Sequence, residues 1–136
     1  MLSERERRGE ARAADEAPVS VLVVDDQRVF RDVMRDVLLA TPGMTLVGEA
    51  ASGEAAVDAV EELSPRMVIM DKRMPGIGGI EAARLIRARR PEILVVLVSV
   101  EVPDPEVLEE GGAVAFMHKC ELSPRALAEA WRTYGA

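Results

Sequence analysis

From residue 18 onward, short apolar runs alternate with longer amphipathic segments. The short runs are rich in β-branched and aliphatic residues, which is typical of strands covered on both faces. They predict five strands, at residues 20–24, 46–50, 67–70, 94–98 and 114–117. Because a helical segment follows each run, the pattern predicts a five-stranded parallel sheet with helical crossovers, which is a doubly wound α/β fold.

The amphipathic segments give the helices. The first helix has apolar residues at helical spacing, namely Val29, Val33, Met34, Val37 and Leu38. Pro42 and Gly43 end it. Ser52 is suited to cap the second helix, and Ser123-Pro124 to open the last one, because proline fits a first helical turn.

The two remaining helices differ in length. The third is predicted over residues 80–89, with these buried candidates: Ile80, Ala83, Leu85 and Ile86. The fourth is restricted to one or two turns within residues 104–110, because Pro103, Pro105 and the two glycines that follow interrupt it. The sequence therefore predicts a (βα)5 arrangement with a short fourth helix.

Composition changes this picture at the amino end and excludes some functions. Residues 1–17 are rich in charged side chains, so we interpret them as a disordered charged leader before a folded domain at 18–136. The net charge of −7 disfavours direct nucleic acid binding by this segment. No apolar run can cross a bilayer, and Cys120 alone forms neither a disulfide framework nor a Cys-based metal site. A cytoplasmic location is the expectation.

Polar side chains follow four of the predicted strands. Asp25-Asp26 follow strand one, Asp71 strand three, Ser99 strand four and Lys119 strand five. In the strand order 2-1-3-4-5, these four strands are neighbours about 4.8 Å apart. Ligands of such sheets bind at the carboxyl ends of the strands, so we expect the five side chains to converge on one shallow pocket.

The chemistry of this set favours phosphate and a divalent cation. Clustered carboxylates repel one another and need a cation, and all-oxygen ligands at a phosphate site favour Mg²⁺. Lys119 and the Ser99 hydroxyl can each bind a phosphoryl oxygen. An aspartate can accept phosphate as a nucleophile, and Asp71 is the central candidate because its strand lies between the others.

Taken in their order along the chain, these residues and the segments around them resemble the receiver domain of two-component response regulators, over about residues 19–131. The resemblance rests on residues 21–26, 68–79, 98–99 and 112–119, in that order. Its most specific features are Met74-Pro75, beginning three residues after Asp71, and Gly79, eight residues after it. The resemblance implies a flavodoxin-like doubly wound sheet in the order 2-1-3-4-5.

The resemblance also implies roles for individual residues. Asp71 matches the phosphoacceptor, and Asp26 matches a direct Mg²⁺ ligand. Asp25 matches its neighbour, which often acts through water, and the backbone carbonyl of Arg73 matches the remaining protein ligand.

A second group of residues matches the switch of the family. Ser99 and Lys119 match the hydroxyl and lysine that sense the phosphoryl group, and Phe116 matches the aromatic residue whose rotamer reports it. The implied partners are a sensor histidine kinase or a histidine phosphotransfer protein, whose phosphohistidine is the donor. Phosphorylation would then change a protein-interaction surface.

The sequence departs from the family pattern at three places. Cys120 follows the lysine where proline in a cis bond is usual, so we predict a trans bond here. Val100 replaces the usual small residue after the hydroxyl position and is expected to narrow access to Asp71. The short fourth helix alters the expected signalling face. His118 is expected to face solvent, with no role in phosphotransfer.

Two other functions stay open. Phosphohydrolases of the dehalogenase-like class also use an aspartate nucleophile, but resemble one another in a second aspartate two residues later, where this chain has Arg73. A pseudo-receiver would bind partners without phosphorylation, as Val100 and the short fourth helix allow. Beyond its own phosphorylation and dephosphorylation, we expect no enzyme activity.

The output of the domain has two interpretations. The chain contains no helix-turn-helix, so it is either a stand-alone receiver with a downstream protein target or the front of a DNA-binding transcription regulator whose output domain is missing. The charged leader and the end of the chain favour the stand-alone form slightly. A homodimer is possible.

Overall fold

The computed structural model describes residues 17–101 and 115–135. The strands are β1 (Val19–Val24), β2 (Met44–Ala50), β3 (Met67–Asp71), β4 (Leu94–Ser99) and β5 (Ala115–His118). The helices are α1 (Arg28–Leu39), α2 (Gly53–Leu63), α3 (Gly79–Arg89) and α4 (Pro124–Tyr134), and a one-turn 3-10 helix spans Lys119–Glu121. The strands form one parallel sheet in the order β2-β1-β3-β4-β5, which confirms the predicted fold.

Alternate residues of each central strand face opposite sides of the sheet, which gives two core layers. Val23 of β1 and Ile69 of β3 pack with helices α1 and α4 on one side. Leu22 of β1 and Met70 of β3 pack with helices α2 and α3 on the other. Because both faces of the sheet are covered at its centre, strands β1, β3 and β4 are apolar almost throughout, as the sequence pattern indicated.

Two predicted helix caps are present. The Ser52 hydroxyl accepts a hydrogen bond from the Ala55 N–H at 3.0 Å, and the Ser123 hydroxyl accepts one from the Ala126 N–H, also at 3.0 Å. Pro124 occupies the first turn of α4. These side chains satisfy amide groups that have no partner within the helix, and so they fix where α2 and α4 begin.

The buried face of α3 corrects one prediction. Leu85 was expected to be buried but is 41% exposed, whereas Ala82 is fully buried. The contact face runs through Gly79, Ala82, Ala83 and Ile86. Leu85 lies about 100° away from Ile86 around the helix, so its size and hydrophobicity do not bring it to the sheet. Small alanines allow the helix to lie close to the strands.

Several expectations fall on parts of the chain that the structure does not describe. The short helix predicted at 104–110 and all but the last residue of the leader predicted at 1–17 lie outside the described residues. In the described ranges, no helix is both long and apolar enough to span a membrane.

Candidate functional site

Three carboxylates meet at the carboxyl end of two adjacent strands. Asp25 and Asp26 directly follow β1, and Asp71 is the last residue of β3. Val24 pairs with Met70, so Asp25 and Asp71 lie at the same level of the sheet. One oxygen from each of the three carboxylates lies within 4.8 Å of the other two. This edge of the sheet therefore concentrates negative charge.

The two acids of the Asp25-Asp26 pair have different environments. Asp25 is fully buried, and both of its carboxylate oxygens have partners. Oδ1 accepts from the Gln27 N–H at 2.8 Å, and Oδ2 accepts from Lys119 Nζ at 2.9 Å. Asp26 is exposed. Asp26 is thus the acid of the pair whose carboxylate faces solvent, where a cation can reach it.

Lys119 places a positive charge among these acids. Its Nζ lies 2.9 Å from Asp25 Oδ2 and 3.6 Å from Asp71 Oδ2. The residue opens the 3-10 turn after β5, and its bond to Cys120 is trans, as predicted. Lys119 thus approaches the acids from the side of the edge strand β5, whereas Asp25 follows the interior strand β1.

His118 is partly exposed, and both nitrogens of its ring are hydrogen-bonded, which the sequence did not predict. Nε2 is 2.7 Å from the Val100 carbonyl oxygen, to which it donates, and Nδ1 accepts from the Cys120 N–H at 3.2 Å. The second bond caps the turn that carries Lys119. No phosphotransfer role is needed to explain His118, since the ring connects the end of β5 to the loop after β4.

The pKa of Asp71 is raised above its ordinary value. Burial of the carboxyl group is the main cause, and the neighbouring charge of Asp25 is the second. The positive charge of Lys119 and the N–H of Arg73 act in the opposite direction. Burial and the neighbouring acids therefore outweigh the stabilising effect of Lys119 and the Arg73 N–H on the Asp71 carboxylate.

The donor set fits a small hard cation. Asp25, Asp26 and Asp71 offer carboxylate oxygens only, which Mg²⁺ prefers, and Mg²⁺ needs only one or two direct carboxylate ligands when water completes its shell. The exposed position of Asp26 leaves room for that water. The acidic cluster could therefore hold a divalent cation.

The other predicted site residues lie around this cluster. Ser99, at the end of β4, is buried, and its hydroxyl accepts from the Glu101 N–H at 3.0 Å. Phe116 lies on β5, is partly buried and packs against the core layer of α2 and α3. The Arg73 side chain forms an ion pair with Glu101, with Nη2 2.7 Å from Oε2. The structure thus gathers three acids and Lys119, with Ser99 and Phe116 on the adjoining strands.

Gly79 explains one feature of the sequence spacing. Its N–H donates to the Lys72 carbonyl oxygen at 2.9 Å, which brings the start of α3 against the end of β3. A Cβ atom at this position would collide with the carbonyl oxygen of Asp71. Only glycine lets the helix begin this close to the strand.

Two residues of the site were not predicted from the sequence. The ring of Phe30 lies under Lys119, with Nζ 4.1 Å from the ring centroid. Arg31 donates from Nη1 to the Asp25 carbonyl oxygen at 2.7 Å. Both residues are in the first turn of α1. The available signal was an aromatic residue and an arginine at the start of the helix that directly follows an acidic pair.

The fold and the acidic cluster define a class: a doubly wound parallel α/β domain with clustered aspartates, which could hold a cation, at the carboxyl ends of its strands. The sequence matches the response regulator receiver domain family over residues 21–132. Because that match covers most of the chain, the protein belongs to this family, and it is a component of two-component signalling.

Curated relatives support the assignment. The chain is 43% identical to the response regulator GacA of Pseudomonas viridiflava over 103 residues, which are 74% of this chain and 48% of the relative. It is 36% identical to the response regulator UvrY of Escherichia coli K12 over 103 residues, 74% of this chain and 47% of the relative. The chain thus spans about half the length of these relatives.

Solved structures give the same result. The response regulator domain of Thermotoga maritima CheB is similar with a TM-score of 0.73 and 35% identity, over 85% of this chain and 94% of that chain. The signal receiver domain of the putative response regulator NarL of Mycobacterium tuberculosis is similar with a TM-score of 0.73 and 28% identity, over 86% and 95% of the two chains.

One relative is an enzyme by name. A protein-glutamate methylesterase/protein-glutamine glutaminase of a Nocardioides strain is 41% identical over 97 residues, but these are only 25% of that protein. This chain matches only its receiver domain. The similarity is therefore to a signalling module, and it gives no support to esterase activity in this chain.

Proposed function

We propose that this receiver domain accepts a phosphoryl group on Asp71 from the phosphohistidine of a sensor histidine kinase or histidine phosphotransfer protein. The observation that carries the proposal is the position of the Asp71 carboxylate, 3.6 Å from Lys119 Nζ and within 4.8 Å of the other two acids. The side chain is 12% exposed, so it is enclosed by charged groups without being sealed from a donor.

The transfer follows from the groups that are present. A carboxylate oxygen of Asp71 attacks the phosphorus atom in line, the bond from phosphorus to the donor imidazole nitrogen breaks, and its electron pair stays with that nitrogen. The product is an acyl phosphate on Asp71 and a free histidine on the donor. Lys119, which already faces Asp71, stabilises the negative charge on the transferring phosphoryl oxygens.

Asp26, Asp71 and the backbone carbonyl of Arg73 would hold Mg²⁺ directly. Asp25 would act through water, because its two oxygens already accept from Gln27 and Lys119. The bound ion supplies positive charge next to the transferring phosphoryl oxygens.

A switch follows from the same geometry. The Ser99 hydroxyl now accepts from the Glu101 N–H, and its own proton remains available to a phosphoryl oxygen on Asp71. Movement of Ser99 toward the phosphoryl group would pull on the loop after β4 and open space for Phe116 on β5. Identical amide spectra around Phe116 in the phosphorylated and unphosphorylated protein would contradict this step.

The partners follow from the same proposal. The phosphorylated surface would act on a downstream protein target or on an output domain of the kind that a longer regulator carries, in the cytoplasm, with a homodimer as one assembly. Direct nucleic acid contact by this domain is not part of the proposal, because the net charge of the whole chain is −7.

The first test uses acetyl phosphate or phosphoramidate with Mg²⁺, followed by intact-protein and peptide mass measurement. We expect one added phosphoryl group on the peptide that contains Asp71, and none in Asp71→Asn. Asp58→Asn, which changes an exposed acid on α2, is the matched control and should be phosphorylated normally. A native protein that takes up no phosphoryl group would instead be a pseudo-receiver.

A further inference from the structure

The ring of Phe30 is a third neighbour of the Lys119 ammonium, besides Asp25 and Asp71. Nζ lies 4.1 Å from the ring centroid, within the range of a cation–π contact. The ring is partly buried and packs against the core layer that α1 and α4 share. Phe30 therefore contacts both the core and the Lys119 ammonium.

We propose that Phe30 is a positioning residue that holds Lys119 between the two acids, pointed to where a phosphoryl group on Asp71 would lie. This inference rests on the proposed function and deepens it. It assigns to the ring the task of holding the ammonium beside Asp71 Oδ2, at 3.6 Å, while the ammonium donates to Asp25 Oδ2 at 2.9 Å.

The properties of a lysine side chain explain why the Lys119 ammonium needs a contact such as the Phe30 ring. A lysine ammonium is a compact charge on a flexible four-carbon stem, so nearby acids alone do not fix its direction. The face of an aromatic ring attracts the cation without accepting a conventional hydrogen bond, which leaves N–H groups free for phosphoryl oxygens. Only 17% of the Lys119 side chain is exposed, so little water competes for this contact.

The contact itself can be measured without any phosphorylation. A proton above an aromatic ring is shifted upfield, so the ε-methylene protons of Lys119 should show this shift in the native protein and lose it in Phe30→Leu. Leucine keeps an apolar side chain against the core, and thermal melts show that the variant is folded. Unchanged Lys119 shifts in folded Phe30→Leu would overturn the proposal.

The functional arm uses a graded series at Phe30. Phenylalanines with one, two and three ring fluorines keep nearly the same shape but progressively weaken the attraction of the ring for a cation. We expect the phosphorylation rate with phosphoramidate and Mg²⁺ to fall stepwise, by roughly three- to tenfold over the series, at nearly constant melting temperature. Phe30→Trp should retain more activity than Phe30→Leu.

The outcomes separate the two proposals. A native protein that is not phosphorylated on Asp71 defeats the proposed function. A native protein that is phosphorylated, with rates that stay flat across the fluorinated series, defeats the positioning role of Phe30 and leaves the proposed function standing. A stepwise fall in rate together with the ring-current shift of Lys119 supports both.

Discussion

Two cation–aromatic contacts lie at opposite ends of this sheet. At the amino end, the Arg66 guanidinium lies 4.9 Å from the centroid of the Trp131 ring and donates to the Ala17 carbonyl oxygen at 3.1 Å. At the carboxyl end, Lys119 lies 4.1 Å from the Phe30 centroid and faces Asp25 and Asp71. The two contacts are similar in kind, but their electrostatic surroundings are not.

The two ends of the sheet differ in the sign of their charge. Arg66 and Trp131 line a cavity of about 430 Å³, together with Ala17, Met44 and Arg132, and no acid is among its lining residues. The carboxyl end holds three carboxylates around one lysine. A cation–aromatic contact alone therefore does not indicate function. The clustered carboxylates beside Lys119, which are the groups that can hold a cation or accept a phosphoryl group, are the informative feature.

The largest expected effect is on the phosphorylation rate, and it distinguishes Lys119 from Arg66. Lys119→Met should slow phosphorylation by phosphoramidate about 100-fold, because a preorganised positive group at the transferring phosphoryl is lost. Arg66→Met should leave the rate within about twofold and lower the free energy of unfolding by about 1 kcal/mol, through the lost contact with Trp131. Equal rate losses in the two folded variants would show that Lys119 has no greater part in phosphorylation than Arg66.

A second effect concerns divalent cation. Mg²⁺ should raise the melting temperature of the native protein, because a ligand that binds only the folded state stabilises it by mass action. Asp26→Asn should lose most of this rise, since Asp26 is the proposed direct ligand. The control is Asp58→Asn, which should keep it. A shift of the same size in Asp26→Asn would show that Mg²⁺ acts elsewhere.

The smallest effect is on stability without Mg²⁺. Because the pKa of Asp71 is raised in the folded state, the folded protein keeps this proton at pH values where the unfolded chain has released it. The contribution of Asp71 to stability is therefore greatest below the ordinary pKa of aspartate, about 4, and is lost as pH rises through the raised value.

Denaturant unfolding at a series of pH values measures the contribution of Asp71 to the free energy of unfolding directly. Asp71→Asn should not show this loss of stability as pH rises. The variant should therefore be more stable than the native protein toward neutral pH, with little difference at low pH. A native protein that gains stability relative to Asp71→Asn over the same rise in pH would reverse the sign of this account.

The sheet could be predicted from the sequence because strand periodicity and the rules of parallel crossovers leave few arrangements. The places of Asp25, Asp26, Asp71 and Lys119 followed from one further rule, that polar residues after parallel strands share an edge of the sheet. Strand ends, unlike side-chain contacts, are visible in the pattern of apolar residues.

Side-chain direction could not be predicted in this way. The hydrophobicity of Leu85 indicated burial, but its angular position on α3 leaves it exposed. The bonds of the His118 ring depend on where the loop after β4 passes. The contact between Phe30 and Lys119 joins residues far apart in the chain, and only the packed structure shows it. These features depend on tertiary packing, and the local spacing of residues in one sequence does not reveal it.

The most direct measurement is the mass of the native protein and of its Asp71 peptide after incubation with phosphoramidate and Mg²⁺. We predict one phosphoryl group, located on Asp71 and lost on treatment with hydroxylamine, which cleaves acyl phosphates. A phosphoryl group on any other residue, or uptake that persists in Asp71→Asn, would contradict the assignment of Asp71 as the phosphoacceptor.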